Sequence, residues 1–125
     1  MMNARATYLE ATIATASPER LLVMLCDRLV LDLTRALEAQ REGTIAGAHE
    51  SLLHAQEIVL ELRGSLRVDE WEGGPGLASL YDFIYQQLIK ANVSRDASIT
   101  ESMLGLAQDL ASTWRQAAMQ TAMAS

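Results

Sequence analysis

The chain's two histidines, in the stretch HESLLH, have the residue type and close spacing that could form a metal site. A zinc-protease helix places its histidines four residues apart, so that both imidazoles lie on one face. His49 and His54 are five residues apart. At 3.6 residues per turn, this spacing directs them about 140° away from each other. They therefore cannot present both rings to one ion, and we interpret them as surface or bundle-edge histidines.

Three other candidates for chemistry fail on their surroundings. A phosphorelay histidine needs a nearby cation to stabilise the phosphoryl group, and neither histidine has one in its sequence neighbourhood. The GGPG segment lacks the following Lys-Ser or Lys-Thr of a phosphate-binding loop. Cys26 lies in the apolar stretch VMLCDRLV, which predicts a buried, unreactive thiol. The sequence thus offers no catalytic set, and we expect no enzymatic activity, no cofactor and no bound metal.

Composition and charge exclude several classes of partner. The chain has 125 residues, 50% of them hydrophobic and 21% charged, which is typical of one globular domain. With a net charge of −6, the chain lacks the positive charge that attracts the phosphate backbone, so we do not expect it to bind nucleic acid. The longest apolar run, LLVMLC, is six residues, whereas a membrane span needs roughly 20. With one cysteine and no signal-peptide pattern, we expect a soluble cytoplasmic protein without membrane insertion.

Helix signals occur at regular intervals along the chain. Ser17 and Pro18 suit an N-cap and a first helical position, and Gly43 suits a helix C-terminus. Thr44 and Asp96 are the predicted caps of the second and fourth helices, and the glycines of RVDEWEGGPG indicate a loop before the third. We therefore predict helices over residues 18–42, 45–66, 77–93 and 97–119.

Long amphipathic helices with short connections predict an all-α, antiparallel, up-down-up-down four-helix bundle. The expected organisation is an N-terminal arm at residues 1–17, one bundle domain at residues 18–120 and a frayed tail at residues 121–125.

The predicted helices carry more apolar surface than one bundle stripe requires. The first helix has two stripes, Leu21, Leu25, Leu29 and Ala36, and Leu22, Cys26, Val30, Leu33 and Leu37. The second and third helices add apolar residues beside their core-facing stripes, namely Leu53, Leu60, Phe83, Tyr85 and Ile89. Two interpretations remain open: a wide core or homodimer face, and a hydrophobic surface that receives another chain.

Several motifs, in order, resemble those of the FliS family of flagellin-specific export chaperones. The segment YLEATIATASPERLLVMLCDRLV is similar to the family's N-terminal tyrosine and T-A-S-P-E-x-L helix start. The segments AHESLLHAQEIVLELRGSL, GGPGLASLYDFIYQQLIKANV and LAQDLASTWRQA resemble its second, third and last helices. The resemblance covers residues 8 to 118. Cys26 and Arg28 depart from it, because the family usually has a tyrosine and a small residue there.

This resemblance implies a helical-bundle chaperone that binds the disordered C-terminal segment of flagellin. It would keep flagellin monomeric in the cytoplasm and deliver it to the export gate of the flagellar type III secretion system. The expected client contacts are Tyr8, Ile13, Leu22, Cys26, Tyr81, Tyr85, Leu88 and Asn92. The first two, Tyr8 and Ile13, lie on the arm, which in the family can cover part of the binding surface and touch the export gate.

Two points stay open at this level. Asn92 either bonds the client backbone or caps the third helix. The competing function is a generic helical-bundle interaction protein that acts as a homodimer, and the sequence allows both a monomer and a weak dimer.

Overall fold

Four α-helices make up most of residues 18–124, which are the residues that the computed structural model describes. In chain order they are α1 (Pro18–Glu42), α2 (Ile45–Ser65), α3 (Gly74–Val93) and α4 (Ala97–Ala124), with a 3₁₀ turn at Val68–Glu70. The all-α prediction is confirmed, and within the described residues no strand forms. None of these helices is long and apolar enough to cross a membrane.

Local signals explain most of the helix ends. Gly43 follows α1 at φ +78°, a left-handed conformation that glycine adopts without the steric cost of a Cβ. Asp96 caps α4 as predicted, because its carboxylate accepts a hydrogen bond from the Ser98 backbone N–H at 2.9 Å. Thr44 precedes α2 as predicted, but its side chain makes no capping hydrogen bond. Ser17 lies outside the described residues.

Two helices are longer than the sequence predicted. Helix α3 begins at Gly74, within the glycine-rich segment that we predicted as loop. Pro75 suits this position, because the N–H groups of a first turn have no partner within the helix and proline has no N–H to leave unpaired. A Cβ added at Gly74 would lie 2.2 Å from the Val68 carbonyl oxygen, so glycine allows the 3₁₀ turn to pack against α3. Helix α4 continues to Ala124 through alanine, methionine and glutamine, which are strong helix formers. Fraying of residues 121–125 stays a prediction.

The core lies between α1 and its two neighbours, α2 and α4, and α3 closes the bundle against α2 and α4. Both apolar stripes of α1 are buried, as shown by Cys26, Leu29 and Leu33, each at 0% exposure. The wide-core interpretation is therefore correct for most of α1. The buried cluster comprises Cys26, Leu29, Leu33, Ala36, Leu52, Ala55, Val59, Leu62, Tyr81, Ile84, Leu88, Met103, Ala107, Leu110 and Ala111.

Ion pairs fix the antiparallel register of neighbouring helices. Arg115 of α4 donates to both carboxylate oxygens of Asp27 on α1, at 2.6 and 2.9 Å. Arg63 of α2 donates to Asp82 of α3 at 3.0 Å. All four side chains are well exposed, so each pair adds little to stability, and its main effect is on alignment.

Candidate protein-binding surface

The two histidines contact different neighbouring helices, as their spacing predicted. His54 lies on the side of α2 that faces α1, where its Nδ1 is 2.5 Å from Oδ2 of Asp32. Asp32 is only 2% exposed, and its other oxygen is 3.2 Å from Nε of Arg28. His49 faces α3, where the Asn92 amide donates to its Nδ1 at 2.9 Å. Among the described residues, no group of three or more ligands that could hold a metal forms.

Two of the predicted client contacts lie in the core, and we correct that prediction. Cys26 and Leu88 are both 0% exposed, because α1 and α3 pack these positions against the rest of the bundle. Burial, and secondly the charge of Asp27, raises the pKa of the Cys26 thiol to about 12, so the thiol is inert at neutral pH. These two side chains would contact a client only if the bundle opened.

Asn92 is partly buried, and its side-chain amide bonds His49 and ties α3 to α2. Its contact with the client stays a prediction. Tyr8 and Ile13 lie outside the described residues, and their contacts stay a prediction. Leu22 and Tyr85 are partly buried and retain accessible area.

A pocket of about 440 Å³ opens at the end of the bundle where α1 begins and α2 ends. We call it the end pocket. Its side walls are mostly apolar and come from all four helices and the α2–α3 connection. Tyr81, a predicted contact, also lines it although it is 1% exposed. The lining residues are Leu22, Leu62, Leu66, Trp71, Leu77, Tyr81 and Trp114, with Pro18, Glu19, Ser65, Arg67 and Glu70 completing it.

Two polar atoms of the end pocket are buried and unpaired. The Tyr81 hydroxyl and the Trp114 indole nitrogen have no hydrogen-bond partner. Burial, and then the charge of Cys26, raises the pKa of Tyr81 to about 12, while the nearby Trp114 indole opposes this increase. The two groups thus approach each other without the geometry of a hydrogen bond. The pocket therefore combines an apolar lining with unused hydrogen-bonding capacity.

A second apolar area lies along α2 and α3. The polar pairs of His49 and Arg63 join the two helices near both ends of α2. Between these pairs α2 carries two exposed leucines separated by two turns, and α3 carries two partly buried apolar residues, Tyr85 and Ile89. Leu53 is 41% exposed and Leu60 50%. We call this area the α2–α3 face, and it comprises Leu53, Leu60, Tyr85 and Ile89.

These features define a class of protein. The described residues form a helical bundle with no metal-ligand cluster, and the end pocket and the α2–α3 face are two of the apolar areas on its surface. Such a surface suits the docking of a peptide or helix, as in other helix-in-groove complexes. The molecule is thus a protein-binding helical bundle.

Comparison with known proteins gives the family. The model of the family described as Flagellar protein FliS matches residues 1–121, and the chain belongs to the FliS family. The flagellar secretion chaperone FliS of Salmonella typhimurium is 32% identical over 111 residues, which cover 86% of this chain and 81% of that protein. The Bacillus subtilis protein of the same name is 26% identical over 117 residues, covering 94% and 87%.

A solved structure agrees on the fold. The crystal structure of a flagellar chaperone from bacteria superposes with a TM-score of 0.76 at 20% identity, covering 94% of this chain and 99% of the other. The family assignment makes this protein a flagellar export chaperone and not an enzyme.

Proposed function

We propose that this chaperone binds the C-terminal segment of flagellin on the end pocket and the α2–α3 face. Binding there keeps flagellin from polymerising in the cytoplasm and presents it to the flagellar type III export apparatus. The observation that carries the proposal is the position of the exposed apolar side chains. Leu53 and Leu60 lie exposed on α2, two turns apart, on a chain that also has the end pocket and a net charge of −6.

The dimensions of this surface suit a folding client. Helix α2 has 21 residues, and at 1.5 Å per residue its face is about 32 Å long, enough for a client helix of about 20 residues. A disordered client loses conformational entropy when it folds on a surface, so it needs apolar contacts to offset that cost. Covering the exposed half of each leucine contributes about 1 kcal/mol.

The N-terminal arm has a separate part in this proposal. Tyr8 and Ile13 would contact the client or the export gate from the arm, and support for this rests on the family motif alone. The proposal for Leu22 and Tyr85 is supported by their accessible area in the end pocket and on the α2–α3 face.

Isothermal titration with a peptide of roughly forty residues from the C-terminus of the same organism's flagellin tests the proposal. We expect tight one-to-one binding, a negative heat-capacity change and a gain in helical circular dichroism. The double variant Leu53→Ser/Leu60→Ser should bind about tenfold more weakly or worse, since two half-exposed leucines are lost. Leu31, on α1 and 38% exposed, provides the matched control, and Leu31→Ser should bind like the wild type.

The absence of both heat and helicity change over a range of temperatures would refute the proposal. The competing function, a homodimer through the same face, predicts a different result. Light scattering would then show a stable dimer that the double variant converts to a monomer, with no response to flagellin.

A further inference from the structure

The end pocket contains hydrogen-bonding groups that the bundle itself does not use. Tyr81 is 1% exposed and its hydroxyl has no partner, and the Trp114 indole nitrogen is likewise buried and unpaired. Buried polar groups in folded proteins are nearly always paired. An indole N–H can only donate a hydrogen bond, whereas a phenol hydroxyl donates or accepts. An acceptor that enters the pocket would therefore pair with the indole N–H, and also with the phenol hydroxyl when that hydroxyl donates.

The chemistry of the pocket lining narrows the choice of acceptor. Glu19 and Glu70 also line the pocket, and the one cation there, Arg67, is 3.2 Å from Glu70. A carboxylate would thus approach the negative charge of Glu19, which the pair of Arg67 with Glu70 does not offset, so a neutral carbonyl fits better. The apolar side walls would accept an aliphatic or aromatic side chain next to that carbonyl.

Carbonyls in the interior of a helix are already paired with N–H groups of the same helix. The last four carbonyls of a helix have no such partner. We infer that the client enters the end pocket at the C-terminal end of a helix, whose free carbonyls accept hydrogen bonds from Trp114 and Tyr81. This inference rests on the proposed function and deepens it, because it assigns the client a direction.

The direction follows from the position of the pocket. The end pocket lies where α2 ends and α3 begins, at one end of the α2–α3 face. A client helix on that face with its C-terminus in the pocket runs parallel to α2 and antiparallel to α3. Another candidate occupant is the chain's own residues 1–17, because Pro18, to which they connect, also lines the pocket.

Indole NMR on the full chain gives a direct readout. The chain has two tryptophans, so a ¹⁵N-labelled sample shows two indole signals, and the variant Trp71→Phe assigns the signal of Trp114. When the flagellin peptide binds, the Trp114 indole proton should shift downfield and exchange more slowly with solvent. A benzophenone at the C-terminal end of the bound peptide helix should crosslink to residues 67–73, and one at its N-terminal end should not.

Hydroxyl and indole deletions give the affinity readout. Tyr81→Phe and Trp114→Phe each remove one hydrogen-bonding group and keep an aromatic ring, and each should weaken peptide binding by about three- to tenfold. Thr113→Val removes an exposed hydroxyl of α4 outside the pocket and the α2–α3 face and is the control, with unchanged affinity expected. Circular dichroism verifies that every variant is folded.

The outcomes are distinguishable. If the peptide does not bind the wild type at all, the proposed function fails. If it binds but the Trp114 signal stays in place and Tyr81→Phe and Trp114→Phe bind normally, the inference is overturned and the proposed function stands. If the Trp114 signal is shifted and protected in the free chain and the peptide leaves it unchanged, residues 1–17 fill the pocket and the inference is also overturned.

Discussion

Replacing His54 with alanine should destabilise the bundle, because it leaves one oxygen of a buried carboxylate without its partner. Asp32 is 2% exposed, and its Oδ2 lies 2.5 Å from Nδ1 of His54. An unsatisfied buried acceptor costs about 1–3 kcal/mol. The His54 side chain is 42% exposed, which lets water approach the vacated position, and Arg28 still pairs with Oδ1. We therefore expect a loss of about 1–2 kcal/mol for His54→Ala.

The variant Asp32→Leu should behave differently. It removes the buried charge and places an apolar side chain of similar volume among α1 and α2. The two former partners, Arg28 and His54, are 46% and 42% exposed, so both can be hydrated without Asp32. The free energy of unfolding should remain near that of the wild type or rise. In this background, His54→Ala should cost close to nothing, since no buried oxygen is left unpaired.

Urea unfolding of the wild type, both single variants and the double variant measures this difference. The midpoints and slopes give a coupling energy between Asp32 and His54, for which we expect about 1–2 kcal/mol. Leu31→Ser, an exposed change on α1, serves as the control and should leave the midpoint nearly unchanged. An equal loss from His54→Ala in both backgrounds would refute the argument from the buried oxygen.

Three further predictions concern other parts of the bundle. Gly74→Ala should lower stability by about 1–3 kcal/mol, because its Cβ would meet the carbonyl oxygen of the 3₁₀ turn at 2.2 Å. A Cβ at Gly76 meets open space, so Gly76→Ala should be neutral or stabilise the protein by up to about 1 kcal/mol. Equal urea midpoints for Gly74→Ala and Gly76→Ala would contradict this reasoning. Hydrogen bonds from the Ser98 hydroxyl and amide lower the pKa of Asp96 from 3.8, so its ionised form stabilises the fold above that pH. This contribution is lost as the pH falls through the pKa of Asp96 in the folded protein. The difference in stability between the wild type and Asp96→Asn should therefore shrink in acid, and a difference that stays constant with pH would contradict this prediction. Because burial raises the pKa of Cys26 to about 12, iodoacetamide should modify the thiol only as fast as the protein unfolds, and rapid labelling of the folded protein would show the site to be open.

The helix limits could be predicted wherever the signal is local. Helix α1 ends just before Gly43 as predicted, and α4 begins after Asp96 as predicted. The start of α3 could not be predicted, because glycines and a proline in a row are typical of a loop. What makes Gly74 helical is the packing of the 3₁₀ turn against it, a contact that depends on the folded chain.

The site could be predicted only in part, because burial depends on which helices become neighbours. Leu53 and Leu60 were identified as surplus apolar positions and are exposed. Cys26 and Leu88 looked equally apolar, yet both lie at 0% exposure. Periodicity locates an apolar stripe on a helix, but whether one or two packed neighbours cover that stripe is a tertiary property.

The pairing of Asp32 with His54 was missed for a similar reason. The two residues are far apart in sequence and lie on different helices, and we predicted His54 only as a surface or bundle-edge histidine. The available signal was Asp32 itself, an acidic residue in the apolar run LVLDLT. A carboxylate at such a position is almost never buried unless it is paired.

The distribution of packing separates stability from binding. Because α1 buries both of its stripes against α2 and α4, the core does not depend on the two exposed leucines of the α2–α3 face, Leu53 and Leu60. Leu88→Ala should therefore cost about 2–5 kcal/mol of stability and weaken flagellin binding only through the fraction of unfolded chaperone. Leu60→Ser should do the reverse, with a nearly unchanged urea midpoint and weaker binding. If Leu88→Ala bound the peptide poorly while remaining fully folded, α3 would have to move during binding and expose its core side.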